Sequence, residues 1–398
     1  MLLLACARHP TAVATVPPVR WGDLHAHSGL SDDACEQPSD ACTADPDGPG
    51  AAFFANAAAA GLDFVALTDH AEFVSWTDLA TGASADIAQR SRELAEAADG
   101  VVPILGFEWS YACDEPFSGG HRTVLFENLD VTAEDRVPSC ARPEGKLAWG
   151  RETYAPSELE PALDPASLAE RLAGKRTIAY FHHPAYDPPQ AVDWAAGDDG
   201  VDDVLVEIAS EHGSSEFTEP DALANAEFYQ AQGSIQEALA SGRRLGFVGG
   251  TDNHQSQPGA LDDGPGATGF ADEEGNPIPH FAEGTLTGVY VEDLDRPALF
   301  DALEARHTLV ATWHPDSLSV WAQGDDGTCW LPGSTLPPGS YSVIVDAEDD
   351  LDVALVGAGA VLEHSDTFSI ERGEFKYVRL SDGAARTAWA SPFFGEGE

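Results

Sequence analysis

Along the first three-quarters of the chain, short apolar runs alternate with stretches whose apolar residues recur at helical spacing. The runs Trp21–Leu24, Phe64–Leu67, Val101–Phe107, Thr123–Phe126, Thr177–Phe181, Val204–Ile208, Leu245–Val248 and Leu286–Val291 predict strands. Between them, Ala51–Ala60, Ala85–Ala98, Ser167–Ala173, Ala222–Ala240 and Pro297–Ala305 predict helices. The middle runs are continuously apolar, the pattern of strands buried on both faces. Strands alternating with helices imply parallel βα units, and so an α/β barrel or an open sheet. Two insertions, Ser110–Pro156 and His254–Gly284, are long, irregular and rich in Gly, Pro and Asp, as loops that wall a site tend to be. Near Trp313 the helical pattern stops. Ser319–Ala322, Tyr341–Ala347, Val353–Val356 and Tyr377–Leu380 are separated by turn residues, which predicts a small antiparallel β domain. The chain divides accordingly into a tether (1–19), an α/β domain (20–312) and a C-terminal β domain (313–398).

Composition narrows the function. The 398 residues, 43% hydrophobic, belong to a globular protein, and no apolar run is long enough to span a membrane. With 68 acidic against 20 basic residues the net charge is −48. Such a surface repels nucleic acid and anionic lipid, so neither is an expected partner. An anionic substrate would need a local positive centre, which bound metal can supply.

Met1-Leu-Leu-Leu-Ala-Cys6 looks like the end of a bacterial lipoprotein signal, with Cys6 as the lipidated residue, although the apolar stretch is short and no basic residue precedes it. This predicts an extracytoplasmic protein whose membrane contact is a lipid anchor. Cys35 with Cys42, and Cys113 with Cys140, are expected disulfides in polar, loop-like sequence, leaving Cys329 over; no CxxC spacing suggests metal.

The chemistry collects at strand ends. Asp-Leu-His25-Ala-His27 follows the first run, Thr-Asp-His70 the second and Gly-Phe-Glu108 the third; His182-His183-Pro184, Glu207-Ile-Ala-Ser-Glu-His212 and Asp252-Asn-His254 follow later ones. Seven of the 13 histidines fall in these segments. In parallel α/β folds the carboxyl ends of strands share one rim, so these donors are expected to meet. His25 and His27, two apart on an extended strand, face one way with Cα atoms roughly 6–7 Å apart, and the same holds for Asp252 and His254. Asp69 reads as an orienting group. His280, His307, His314 and His364 lie outside the motifs and are assigned surface or structural roles.

In this order and spacing, with His25-Ala-His27-Ser-Gly-Leu-Ser-Asp32-Asp33, Thr-Asp-His70, Glu108, His183-Pro184 and Asp252-Asn-His254, the chain resembles the PHP (polymerase and histidinol phosphatase) metallohydrolase superfamily. Phe64–Glu72, His121–Phe126 and His212–Glu216 further resemble its DUF3604 branch and, more distantly, the carbaryl-hydrolase-like branch. The resemblance, over residues 20 to about 312, implies a distorted (β/α)7 barrel holding two or three divalent ions of zinc, manganese or iron. Carried over by position, His25, His27, Glu108 and Asp252 would hold one ion; Glu108, His121 and His183 a second; Asp33, His70 and His254 a third. Asp33 is chosen over Asp32, and His183 over His182, on motif position. His121 precedes its apolar run, so its place on the rim rests on the resemblance. Glu108, as a bridging carboxylate, with Arg122 holding an anionic group and His212 binding substrate or protonating the leaving group, completes the expected catalytic set. A small-molecule phosphoester is the expected substrate. Carboxylic or carbamate ester hydrolysis is the alternative, and a metal-stabilised surface lipoprotein without activity the third reading.

Overall fold

A computed structural model describes residues 13, 15–31, 34, 48–79, 81–110, 120–139, 145–146, 152–162, 164–186, 191–196, 203–221, 223–224, 229–261, 284–363, 365–383 and 386–397. Cys6, Asp32, Asp33, Cys35, Cys42, Cys113, Cys140, His280 and His364 lie outside them, with most of the 1–19 tether.

Seven strands line up in chain order along one curled sheet: β1 (Val19–Asp23), β2 (Phe64–Leu67), β3 (Val102–Trp109), β4 (His121–Phe126), β5 (Thr177–His182), β6 (Leu205–Ser210) and β7 (Gly246–Gly249). Pairs β1–β2, β2–β3, β5–β6 and β6–β7 are parallel, as their apolar runs predict. The uniform parallel order does not hold, because β4 runs antiparallel to both β3 and β5. On the other side of β1 the sheet continues antiparallel through β8 (Leu286–Tyr290) and β9 (Thr308–Ala311).

The curl brings β7 back against β8 and β9, where hydroxyls take over from the backbone ladder. Thr287 Oγ1 accepts from Gly249 N–H at 2.8 Å and donates to Gly249 O at 2.7 Å; Thr308 Oγ1 donates to Phe247 O, and Ser391 Oγ accepts from Phe247 N–H. Backbone groups buried at this seam are thereby satisfied.

Helices α1 (Phe53–Ala59), α2 (Ile87–Glu96), α3 (Pro165–Leu172), α4 (Ile235–Ala240) and α5 (Arg296–Glu304) pack apolar faces on the sheet. Four begin at side-chain caps: Asp86, Asp164 in a capping box with Ser167, Ser234 and Asp295. Of the helix expected over 222–240, the described residues show only the last six, Ile235–Ala240. Ser234 caps it late, after Tyr229 has bridged to Tyr186 and a 3-10 turn has formed over Ala231–Gly233.

The expected irregular insertion after Ser110 contains a strand, Glu152–Pro156, which pairs with Phe73–Asp78 in a separate four-stranded sheet. Beyond residue 312 the described residues form strands and turns without a helix, and the central sheet crosses that position: Thr387–Ala390 pairs with β9 and then with Phe375–Ser381. A second antiparallel sheet, Cys329–Trp330, Leu318–Gly324, Gly339–Ala347 and Thr367–Ile370, packs beside it. Cys329, expected to be left over, is disulfide-bonded; its exclusion rested on pairing neighbours in sequence, which folding does not require. Among the described residues no helix is long and apolar enough to cross a membrane.

Candidate metal centre

The rim formed by the carboxyl ends of β1, β2, β3, β5, β6 and β7 gathers a buried set of imidazoles and carboxylates. Four atoms define its centre. His25 Nε2 and His27 Nε2 stand 3.1 Å apart; each lies 3.2–3.5 Å from Glu108 Oε2 and 3.2–3.3 Å from Asp252 Oδ1. Donors about 2.0–2.1 Å from one tetrahedral ion would be spaced roughly 3.3 Å apart, so the set has the dimensions of a metal site. Further donor groups surround it, among them His121 with His182 and His183, His27 with His70 and His254, and His183 with His212 and Asp252.

Glu108 joins these groups. Its Oε2 faces His25, His27 and, at 3.5 Å, His70; its Oε1 lies 2.8 Å from His121 Nδ1 and 3.1 Å from His182 Nε2. The reversal of β4 explains why His121 belongs here. In an antiparallel strand the first residue lies at the same rim as its neighbours' last residues, and His121 is in register with His182. His182, passed over for His183 on motif position, thus lies 3.1 Å from Glu108 and approaches it more directly than His183 does. Asp33 lies outside the described residues.

The rings are aimed by their other nitrogens. His25 Nδ1 pairs with Thr123 Oγ1 at 2.6 Å, His27 Nδ1 with Ser31 Oγ at 3.0 Å, His70 Nδ1 with Ser110 Oγ at 2.7 Å and His254 Nδ1 with Asp252 O at 2.7 Å. A ligating histidine held through its second nitrogen in this way presents a fixed nitrogen to an ion. Asp69 accepts from Ser28 N–H and Oγ–H at 2.7 and 3.0 Å, an orienting role, while His307 and His314 bond to the carbonyls of Pro332 and Gly61, away from the cluster.

Electrostatics favour cations here. Burial alone would raise Glu108 and Asp252, yet the surrounding histidines hold both well below the ordinary carboxylate range. Burial alone would lower His25, but Asp252 and Glu108 hold it well above its usual value. Burial and neighbouring imidazoles push His182 down to about 3 and His183 well below its normal value, so both are neutral, the form that binds metal. Burial also raises Glu207 to about 8. His121 Nε2, both ring nitrogens of His182, His183 Nδ1 and Asp252 Oδ1 are buried and make no hydrogen bond, a costly arrangement unless an ion completes it.

Arg122 is not part of this rim. Strand alternation turns His121 and Thr123 inward and Arg122 outward, where its guanidinium is fully buried, 3.0 Å from Asp203 Oδ2 and 3.8 Å above the Phe181 ring. His212 does reach the cluster, with Nε2 2.9 Å from Asp252 Oδ2 at its more open edge beside Tyr186.

Two supporting residues escaped the sequence reading. Asp23 accepts from the amides of His25, Thr251 and Gly259 and from the Thr251 hydroxyl, tying the HxH segment to the DxH loop. Arg136 donates to the carbonyls of Asp69 and His70 at 3.1 and 2.6 Å and reaches Gly106 O at 3.4 Å, linking the ends of β2 and β3. The Asp two before His25 was a signal for the first; nothing local marks the second.

No family model matches the chain, and no curated protein matches it. A solved structure that does match is described as a two-domain protein containing a predicted PHP-like metal-dependent phosphoesterase, from Bacteroides vulgatus ATCC 8482. It is 15% identical, with 96% of this chain and 91% of that chain covered and a TM-score of 0.44. A likeness this loose carries no argument about chemistry.

Proposed function

We propose that this chain is a metal-dependent hydrolase of the PHP kind, acting on phosphate esters with two or three divalent cations of zinc, manganese or iron. The observation that carries the reading is the convergence of His25, His27, Glu108 and Asp252 at the spacing of a ligand shell, surrounded by further imidazoles. His25, His27, Glu108 and Asp252 would hold one ion. Glu108 with His121 and the His182–His183 pair would hold a second, and His70 with His254, joined by Asp33 or His27, a third. The motif order that resembles the DUF3604 branch supports the same assignment.

Cations in such a centre supply water that ionises near neutral pH and a positive field for substrate oxygens. The chain's own groups do the rest. Glu108, with one oxygen toward each side, keeps neighbouring positions at bridging distance. The Nδ1 partners keep the rings from turning. His212, hydrogen-bonded to Asp252 at the open edge, is suited to deliver a proton to the departing oxygen. A phosphoryl group offers several oxygens to several cations where a carbonyl offers one, which favours a phosphoester over a carboxylic or carbamate ester.

Metal analysis of the purified protein should find two or three bound ions. The loaded protein should hydrolyse p-nitrophenyl phosphate or bis-p-nitrophenyl phosphate, and chelation should abolish that activity. Hydrolysis of p-nitrophenyl acetate alone would move the assignment to carboxyl esters, and metal-loaded protein inert on all three would refute the hydrolase reading.

A further inference from the structure

Neighbouring residues on a pleated strand point to opposite faces, so His182, the last residue of β5, and His183 ought to diverge. Their ring centroids are instead 3.9 Å apart, and both stand with His121 in one donor group. The backbone allows this through a left-handed His183, with φ +34°. That region is sparsely populated by residues other than glycine, and Pro184 restricts the residue before it further. A conformation of this kind persists where the surroundings fix it from several sides.

Here they do. Glu207 lies on β6 at the point where pairing with β7 shifts register between Glu207 and Ala209, a bulge that re-aims side chains. It is fully buried, and its Oε1 accepts the His183 amide N–H at 3.0 Å. Its Oε2 makes no hydrogen bond, and the carboxylate shares a donor group with His25 and His182. Ser215 Oγ accepts from Ala185 N–H at 3.2 Å, just beyond the turn. Gly233 packs so closely that a Cβ there would stand 1.9 Å from Pro184 O.

We propose that Glu207 is a positioning residue whose carboxylate anchors the left-handed turn at His183 and thereby brings both rings of the His182–His183 pair to the metal centre. The proposal rests on the metal-binding half of the hydrolase reading and is independent of the substrate.

The test compares Glu207→Gln and Glu207→Ala in the full-length protein, reading metal stoichiometry, metal affinity, the visible spectrum of the Co2+-loaded protein and melting temperature. Gln keeps an acceptor for the His183 amide and removes the ionisable acid. Positioning predicts wild-type stoichiometry and Co2+ spectrum for E207Q. It predicts an altered spectrum and a loss of metal affinity of roughly 10–100-fold for E207A. If E207A does not fold, E207Q alone decides: a wild-type spectrum supports the proposal. Equal impairment of both variants overturns it, because the acid group itself would then matter rather than the hydrogen bond it accepts. Wild-type binding by E207A overturns it as well. A wild-type protein that binds metal but hydrolyses no ester would remove the hydrolase reading and leave these metal readouts intact.

Discussion

Arg122 shows how much depends on which face a side chain takes. Buried against Phe181 and paired with Asp203, it neutralises a carboxylate that is itself only 1% exposed. Removing one member of such a pair leaves the other as an uncompensated buried charge, at a cost of roughly 3–5 kcal/mol. Arg122→Ala should therefore lower stability in a denaturant titration by about that much, while the folded protein keeps its metal content and KM. A raised KM with unchanged stability would return Arg122 to the substrate. The contrast with His25, His27, His70, Asp252 and His254 is instructive. Their placement was legible because each follows an apolar run whose direction the parallel pattern fixes. Arg122 lies in a strand whose direction no local feature records, and a one-residue change of face separates a substrate clamp from a core ion pair.

At the scale of elements, buried runs announced the strands, and all eight predicted runs overlap observed ones. The reversal of β4 was not legible, because an apolar run reads alike in either direction. The hydroxyl seam at β7 was hidden too, since Thr287 and Thr308 resemble ordinary strand residues. The junction with the C-terminal sheet depends on another group whose role the sequence did not reveal. Glu216, after β6, accepts from Tyr377 Oη–H at 2.9 Å and Trp389 Nε1–H at 2.8 Å, with Arg379 at 3.5 Å. Burial outweighs these partners and raises its carboxyl to about 7. An unfolded glutamate ionises near 4.3. Between those values the folded state holds a proton that the unfolded chain has released, so stability falls as pH rises through the window. The contribution is full below pH ~4.3, and the loss, on the order of 3 kcal/mol, is complete above pH ~7. Urea unfolding of the metal-loaded protein at pH 5 and 7.5 should show a smaller drop for Glu216→Gln than for the wild type. Equal drops would mean that the three donors already keep Glu216 ionised.

Over the whole molecule, a net charge of −48 surrounds a centre built to hold cations. The two act at different ranges. Within a few ångströms of the cluster, two or three dications would dominate and draw in substrate oxygens. Beyond a Debye length, about 10 Å at 0.1 M salt, an approaching anion meets mainly the acidic surface. Binding a phosphomonoester dianion therefore includes work against the outer field, and added salt should relieve it. Raising NaCl from about 10 to about 200 mM, across which the Debye length shrinks from roughly 30 to under 10 Å, should increase kcat/KM for p-nitrophenyl phosphate. Bis-p-nitrophenyl phosphate, a monoanion, should respond less, and any turnover of the neutral p-nitrophenyl acetate should hardly change. The same screening weakens self-repulsion in the folded chain, so its melting temperature should rise over this range. A fall in kcat/KM for the dianion alongside a rising melting temperature would show that the cluster's field reaches past the acidic shell. The ordering of the three substrates by charge is what separates an electrostatic cause from a general stabilising effect of salt on the protein, because the latter would raise all three alike.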